Sequence, residues 1–228
     1  MVVVDMDKGK EHFDGIEDSY ENMIIKIVPS SEDFFGAVLS FIPEGNTKIL
    51  ELGSGTGFLT TRIVELNPSA EITCIDLSEG MLDVARGKPE LSDVKFIKGD
   101  FREAWGDGKF DVILSTLCLH HLPDDDRTDI LGKIYDSLNP RGAFINGDVF
   151  LGETEEEEAR ILSWWHKAML QNNMSEKEAD SMIKKRDANH DYLDKISAFT
   201  EKMNSTGYDD VMLVYKNRLY GVFVGLKK

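Results

Sequence analysis

The sequence lacks the features of disulfide-stabilised and membrane-spanning proteins. It has only two cysteines, and no apolar run reaches the 18 residues of a membrane span. Cys74 and Cys118 fall in strand-like runs, so we expect two reduced, buried thiols and no disulfide. The three valines near the start are too short an apolar run for a secretory signal. These absences predict a soluble, cytoplasmic protein with no membrane partner.

Positive charge is also scarce. The 26 basic side chains face 42 acidic ones, which gives a formal net charge of −16. Such a field repels phosphate backbones and disfavours a nucleic-acid acceptor, although the basic patch Lys184, Lys185 and Arg186 leaves that option open. A chain of this length buries roughly 70% of its unfolded surface and needs no disulfide or metal to stabilise its fold.

Apolar spacing predicts alternating strands and helices. Residues 19–42 show helical spacing on both sides of Pro29, which predicts two short helices. Strand-like runs lie at Lys48–Leu52, Glu71–Asp76, Val94–Lys98, Phe110–Ser115 and Gly142–Phe150, with helical stretches at 58–66, 79–86 and 124–138. At the end of the chain, Asp210–Tyr215 and Leu219–Leu226 are typical of a hairpin.

This alternation predicts an α/β fold with parallel strands, right-handed crossovers and helices on both faces of the sheet. We expect one domain of four segments: N-terminal lid helices at 1–45, a ligand-binding core at 46–152, a helical insertion or lid at 153–190, and a helix with a hairpin at 191–228. In the insertion, Trp164, Trp165, His166 and Met169 either wall an acceptor pocket or pack a helix on the sheet.

A glycine-rich turn follows the first strand. Gly53, Gly55 and Gly57 permit tight turning and a close approach of the backbone to a ligand. The dinucleotide fingerprint places its third glycine one residue later, where this chain has Phe58, so the spacing argues against NAD. A turn without any ligand is the alternative.

Acidic residues end the next two strands. Asp76 lies 23 residues beyond Gly53, where a carboxylate accepts hydrogen bonds from both hydroxyls of a ribose. Asp100 ends the third strand and suits an exocyclic amine. The alternative for Asp76 is a capping role before Leu77 and Ser78. Together the glycine turn and the two carboxylates predict an adenosyl site at one edge of the sheet.

The ordered motifs ELGSGTG, CIDLS, FIKGDF, FDVILSTLCLHHL and LNPRGAF, over residues 47–150, resemble those of class I S-adenosylmethionine-dependent methyltransferases of the small-molecule type. The resemblance implies a Rossmann-like, mostly parallel sheet of seven strands that ends in an antiparallel hairpin. It also implies S-adenosylmethionine as the methyl donor and S-adenosylhomocysteine as the product. In-line transfer to an unidentified small-molecule acceptor is the expected reaction.

The resemblance also assigns a donor site. Its residues are Glu51, Gly53, Ser54, Gly55, Gly57, Asp76, Leu77, Asp100, Phe101, Ser115, Thr116 and Leu117. The glycines and Ser115–Leu117 approach the methionyl part, and Glu51 lies near the methionyl amine. Asp76 binds the ribose, and Asp100 with Phe101 binds the adenine. Arg141 stands where the family often has glycine, with little expected effect on function.

The sequence does not identify the catalytic residues, because methyl transfer requires no universal base. His120 and His121 follow the fourth strand and are weak candidates for a base, with packing or capping ahead of Pro123 as the alternative. Adjacent histidines point in different directions, so we predict no metal site. Tyr20 is a candidate lid contact with the donor, or a core residue.

Two other functions stay open. The Val-Pro segment, residues 133–140 and Lys185-Arg186 also resemble carboxy-S-adenosylmethionine synthase, which modifies the donor itself and in which Arg186 would bind a carboxylate. Ser31 in place of that family's tyrosine, and the ordinary GSGTG turn, argue against it. A catalytically silent donor-binding module is the third reading. The acceptor, the methylated atom and the oligomeric state, including a homodimer, stay open.

Overall fold

The computed structural model describes residues 17–103, 105 and 108–228. Two helices come first, α1 (Glu17–Ile27) and α2 (Ser31–Leu39). Ser30 between them adopts a left-handed backbone with φ of 56°, directly after Pro29. The predicted break at Pro29 is therefore confirmed.

The remaining elements alternate between strand and helix up to β5, except that β4 follows β3 with no helix among the described residues between them. They are β1 (Lys48–Leu52), α3 (Phe58–Leu66), β2 (Glu71–Asp76), α4 (Glu79–Arg86), β3 (Lys95–Lys98), β4 (Phe110–Thr116), α5 (Asp124–Ser137), β5 (Leu138–Val149), α6 (Glu155–Gln171), α7 (Glu176–Ala188), α8 (Ile196–Thr206), β6 (Asp210–Asn217) and β7 (Tyr220–Leu226). Short 3₁₀ turns lie at Pro89–Leu91, Leu119–His121 and His190–Tyr192. No helix among the described residues is both long and apolar enough to cross a membrane.

The strands form one seven-stranded sheet in the order β3-β2-β1-β4-β5-β7-β6. Pairs from β3 to β5 are parallel, whereas β7 is antiparallel to both β5 and β6. The order runs outward from β1 in both directions, so β1 and β4 lie at the topological switch point, where such sheets bind ligands. The predicted fold class is confirmed.

Each face of the sheet carries its own apolar core. Helices α1, α2, α3 and α6 cover one face, where Phe34, Ile63 and Trp165 are buried. Helices α5 and α8 cover the other face with Ile134 and Phe199. Both thiols are free; Cys74 is buried as predicted, whereas Cys118 is only half-buried.

The stretch predicted as a helical insertion holds two helices, α6 and α7, which contact each other and lie beside α1. The carbonyl oxygen of Ile27, at the end of α1, accepts hydrogen bonds from Trp165 Nε1 and from the Tyr220 hydroxyl, both at 2.7 Å. Asn172 donates to the neighbouring carbonyl of Lys26 at 3.1 Å. The lid helix α1 is therefore tied to α6 and to the sheet at its carboxyl end.

Strand β5 begins earlier than its apolar run predicts. Leu138 pairs with Phe110, and the next partners are Ala143 and Val112, so the residues between Leu138 and Ala143 bulge out of register. Arg141 within this bulge has a φ of 67°, in the left-handed region that favours glycine. Gly142, which follows, has no room for a side chain, because a Cβ there would lie 2.9 Å from the carbonyl oxygen of Asn139.

We expect Arg141→Gly to raise the free energy of unfolding by about 0.5–1 kcal/mol. Relief of the left-handed strain contributes roughly 1–2 kcal/mol, and the added freedom of glycine in the unfolded chain removes part of it. Chemical denaturation measures the difference. Arg141→Ala is the matched control, because it removes the same side chain without relieving the backbone. Equal stabilities of the glycine and alanine variants would contradict the assignment.

Candidate functional site

The carboxyl ends of the central strands meet at one edge of the sheet. Leu52 at the end of β1 pairs with Ile75 of β2 and with Ser115 of β4. The amide of Gly53 donates to the carbonyl of Ile75 at 2.8 Å, and that of Leu117 donates to the carbonyl of Gly147 at 2.8 Å. This register brings the glycine turn, Asp76 and the end of β4 together, as predicted from the sequence.

The three glycines of the turn have different environments. All three have a positive φ between 55° and 74°. A Cβ on Gly53 would lie 2.2 Å from Cys118 Sγ, and one on Gly57 would lie 2.7 Å from Leu91 Cδ1. A Cβ on Gly55 would meet only the Tyr20 ring, at 3.8 Å. Gly53 and Gly57 are therefore required by packing, and Gly55 presents open backbone to the cleft.

Asp76 is held against the glycine turn. Its Oδ2 accepts a hydrogen bond from the Gly55 amide at 2.7 Å, and its Oδ1 accepts one from the Ser78 amide at 2.9 Å. Burial raises the pKa of Asp76 above its ordinary value, against the effect of these backbone donors. A carboxylate has about four acceptor sites. Asp76 therefore keeps capacity for the hydroxyls of a ligand.

Asp100 lies beside Asp76, because the amide of Gly99 donates to the carbonyl of Asp76 at 3.0 Å. The carboxylate of Asp100 is already engaged by Arg102, with Nη2 2.6 Å from Oδ2. Burial works to raise the pKa of Asp100, but the hydrogen bonds from Arg102 hold it below its ordinary value. Arg102 also pairs with Asp126 of α5. Sequence reasoning missed this clamp, which limits the freedom of Asp100 to receive an amine.

Tyr20 lies over the glycine turn, as the predicted lid contact requires. Its ring is the nearest group to the open side of Gly55, and Asp76 and Cys118 act on its hydroxyl electrostatically. Burial raises the pKa of Tyr20, so the phenol stays protonated at neutral pH. Glu21, the next residue of α1, binds Thr56 of the turn at 2.8 Å and Lys88 at 2.6 Å. The lid is thereby attached to the turn that it covers.

Glu51 is buried one residue before the end of β1. Its Oε2 accepts a hydrogen bond from the Thr60 hydroxyl at 2.6 Å and lies 3.8 Å from Cys74 Sγ. Burial raises the pKa of Glu51 to about 7, partly offset by these hydrogen bonds. A buried carboxylate that is half ionised near neutral pH gains from a cation placed beside it.

The end of β4 departs from regular backbone geometry. Leu117 has a φ of 51°, which is strained for a bulky residue. The turn carries the chain from Ser115 and Thr116 toward His120, which lines a cavity together with Tyr20, Trp165 and Arg186. Ser115, like Ser54, has a buried hydroxyl, and the nearest polar groups are the thiols of Cys118 and Cys74 respectively.

Of the two histidines after β4, His120 is fixed by a carboxylate. His120 Nδ1 lies 2.5 Å from Oδ1 of Asp148, which follows Gly147 on β5. The ring of His121 lies beside that of His120, with centroids 4.0 Å apart. Asp148 was not among the predicted site residues. Only the register of β4 against β5, which pairs Thr116 with Gly147, shows that the two residues meet.

The two tryptophans of α6 have different environments. Trp165 is buried in the apolar core and also lines the cavity beside Tyr20, so it combines the two predicted alternatives. Trp164 instead packs against Arg218, whose guanidinium lies 3.7 Å from its ring centroid. His166 pairs with Asp180 at 2.9 Å, and Met169 belongs to the core. The four residues are therefore divided between the predicted wall and other contacts.

Arg186 of α7 also reaches the cavity. Its Nη2 donates to Glu158 Oε1 and to the carbonyl of Phe150, both at 2.9 Å. Its Nη1 is buried and has no hydrogen-bond partner among the described residues. The charge of Arg186 is therefore balanced by Glu158, while its Nη1 remains a hydrogen-bond donor without an acceptor among the described residues.

Comparisons with known proteins relate part of the chain to methyltransferases. Residues 49–142 match the family described as "Methyltransferase domain". Malonyl-[acyl-carrier protein] O-methyltransferase of Bacillus cytotoxicus is 37% identical over 98 residues, which are 43% of this chain and 34% of that protein. Carboxy-S-adenosyl-L-methionine synthase of Histophilus somni is 25% identical over 225 residues, or 94% of this chain and 92% of that protein. The chain thus spans about a third of the first relative and nearly all of the second.

Solved structures agree on the fold. Phosphoethanolamine N-methyltransferase 2 of Haemonchus contortus, in complex with S-adenosyl-L-methionine, has a TM-score of 0.64 at 16% identity, over 86% of this chain and 52% of that one. An O-methyltransferase family protein from Burkholderia thailandensis has a TM-score of 0.66 at 15% identity, over 95% of this chain and 62% of that one. Residues 49–142 therefore match a methyltransferase domain, and the described structure has the fold of solved methyltransferases.

Proposed function

We propose that the protein binds S-adenosylmethionine at the carboxyl edge of β1, β2 and β4 and transfers its methyl group to a small-molecule acceptor. The observation that carries the proposal is the contact between the Gly55 amide and Asp76, at 2.7 Å. It brings open backbone and a hydroxyl-binding carboxylate to the switch point of the sheet. The donor would supply a methyl group on a positively charged sulfur, which leaves with the bonding electron pair.

The chain's own residues would bind and orient the donor. Asp76 would accept hydrogen bonds from the ribose hydroxyls, while Gly53, Ser54, Gly55 and Gly57 shape the turn beside the methionyl part. Leu77, Asp100 and Phe101 would surround the adenine, and Ser115, Thr116 and Leu117 would border the reacting end. Tyr20 would cover the site and exclude water. Such positioning supplies much of the acceleration of a displacement between two bound groups.

Glu51 supports this reading on electrostatic grounds. It is buried and lies at the same strand end, and its pKa is raised to about 7 by burial. The amine of a bound methionyl group would bring a positive charge that favours the ionised form. No such charge is needed to hold the turn itself, so the buried carboxylate fits a cationic ligand.

A donor-modifying reaction is the second candidate. The likeness to carboxy-S-adenosyl-L-methionine synthase runs over 94% of the chain and is consistent with it without favouring it. Ser31 and the ordinary glycine turn argue against it. Mass spectrometry of the small molecules that co-purify with the protein separates the two, since a carboxylated donor would support the second candidate. A silent binding module would bind the donor without turnover of any acceptor.

We expect S-adenosylmethionine and S-adenosylhomocysteine each to raise the melting temperature, and NAD to have no effect. A ligand at 100 times its dissociation constant adds about 2.7 kcal/mol, which at this length corresponds to roughly 5–10 °C. Differential scanning fluorimetry measures the shift. Absence of any shift at saturating donor would refute the proposed function.

Asp76→Ala should weaken S-adenosylhomocysteine binding about 100-fold or more, because hydrogen bonds to a charged group contribute roughly 1.5–3 kcal/mol each. Isothermal titration calorimetry gives the affinity. Asp125→Ala, the same change at an exposed position on α5, is the matched control and should bind normally. Normal affinity of Asp76→Ala would remove this carboxylate from the donor site.

Donor affinity should fall with decreasing pH, because Glu51 must lose its proton to pair with the methionyl amine. With a pKa of about 7 in the free protein, binding should be about five-fold weaker at pH 6 than at pH 7. Glu51→Gln keeps an acceptor for the Thr60 hydroxyl but cannot ionise, so its affinity should vary less with pH. Calorimetry from pH 5.5 to 7 tests this, and identical pH profiles would contradict it.

The raised pKa of Glu51 also makes the stability of the folded protein depend on pH. Because the folded-state pKa of Glu51 is raised from 4.5 to about 7, the folded protein binds the proton more tightly. The associated stability is present below about pH 4.5 and is lost as the pH rises through about 7. In Glu51→Gln, denaturant unfolding of the ligand-free protein should show a smaller loss of stability over that interval. If Glu51→Gln lost as much stability as the wild-type protein over that pH interval, a group other than Glu51 would be responsible.

A further inference from the structure

A mostly apolar cavity lies next to the proposed donor site. Its volume is about 140 Å³, and its walls include Tyr20 and Leu117, which border the donor edge. Trp165, Met182, Leu219 and Tyr220 form much of the remainder. An engineered apolar cavity of roughly 150 Å³ in another protein binds benzene. The cavity therefore has room for a body of about one six-membered ring.

His120 lines this cavity and has a fixed orientation. Asp148, whose side chain is 4% exposed, lies 2.5 Å from His120 Nδ1. The backbone amides of His120 and Val149 donate to the same carboxylate at 3.1 and 2.9 Å. Because these amides favour a carboxylate that accepts, Nδ1 carries its hydrogen toward Asp148. The lone pair of the neutral ring then lies on Nε2.

Nε2 of His120 has no hydrogen bond to any residue that the structure describes. The other basic groups of the cavity are His121, Lys185 and Arg186. Arg186 is paired with Glu158, and Lys185 is exposed at the rim. A neutral imidazole held by a buried carboxylate is the arrangement that general-base catalysis uses.

We propose that the cavity binds an aromatic hydroxyl compound of about one ring and that His120 Nε2 is its proton acceptor. The proposal rests on the proposed function. In the step, the acceptor O–H bond breaks and its proton passes to Nε2. The oxygen bonds to the methyl carbon, and the carbon–sulfur bond breaks with its electron pair left on sulfur. The imidazolium beside Asp148 then returns the proton to water.

The surroundings favour a hydroxyl over a cationic amine. Lys185 lies on the same cavity, whereas the charge of Arg186 is balanced by Glu158, and the like charge of Lys185 disfavours an ammonium group there. A neutral phenol, in contrast, is a weak nucleophile until its proton is removed. The positive charge of Lys185 also favours the phenolate that forms. The geometry thus selects an acceptor that needs a base and becomes anionic on reaction.

The test uses 4-nitrophenol, whose ionised form has its own absorption band. The wild-type protein is saturated with S-adenosylhomocysteine and titrated with 4-nitrophenol in buffer below the pKa of the free phenol. We expect the bound compound to show the phenolate band. His120→Asn and Asp148→Asn should each bind it with at least a ten-fold smaller ionised fraction. His166→Asn, the same change at an imidazole that pairs with Asp180 outside the cavity, should keep the band.

Transfer of the methyl group from S-adenosylmethionine provides a second readout with phenol as the probe. Loss of the proton acceptor should lower kcat by about 10²–10⁴-fold, with a smaller effect on KM. A variant that fails to fold is recognised by its circular dichroism, and the wild-type spectrum then decides by itself.

Three outcomes would overturn the inference. They are a wild-type protein that does not bind 4-nitrophenol, one that binds it without ionisation, and a folded His120→Asn variant that keeps the band. The proposed function fails separately, when S-adenosylhomocysteine produces no thermal shift. The two failures are therefore distinguishable, because donor-product binding is measured before any phenol is added.

Discussion

The contact between the Gly55 amide and the Asp76 carboxylate joins two strand ends into one site. It connects the turn after β1 to the end of β2 across 21 residues of sequence. Parallel pairing makes this contact available, since adjacent strands end at the same edge. Tyr20, Ser115 and the cavity beside them lie around this contact. The proposed donor site depends on this one junction.

Much of the fold, and the convergence of the strand ends, was predictable from the sequence because both follow local patterns. The glycine spacing and the acidic strand ends predict that Gly55 and Asp76 meet at one edge, and the helical spacing on both sides of Pro29 predicts the break there. Parallel pairing then brings the carboxylates together, as expected for a doubly wound sheet. The bulge around Arg141 was not predictable, because it depends on the register of β5 against β4.

The unpredicted parts of the site are pairs of distant residues. His120 meets Asp148 only because β4 and β5 align in one register, and a shift of one residue would separate them. Arg102 captures Asp100 and reaches Asp126 of α5, which requires knowledge of how a loop lies on a helix. Likewise, helical spacing alone does not show that Trp165 points inward and Trp164 toward Arg218.

The two ends of α1 are fastened by different forces. At the carboxyl end, the Ile27 carbonyl accepts two hydrogen bonds from buried groups, which solvent ions do not reach. At the other end, Glu21 holds Lys88 through an ion pair whose side chains are 37% and 21% exposed. Dissolved salt screens the second fastening far more than the first. Rising ionic strength therefore weakens the ion pair next to Tyr20 more than the buried hydrogen bonds at Ile27.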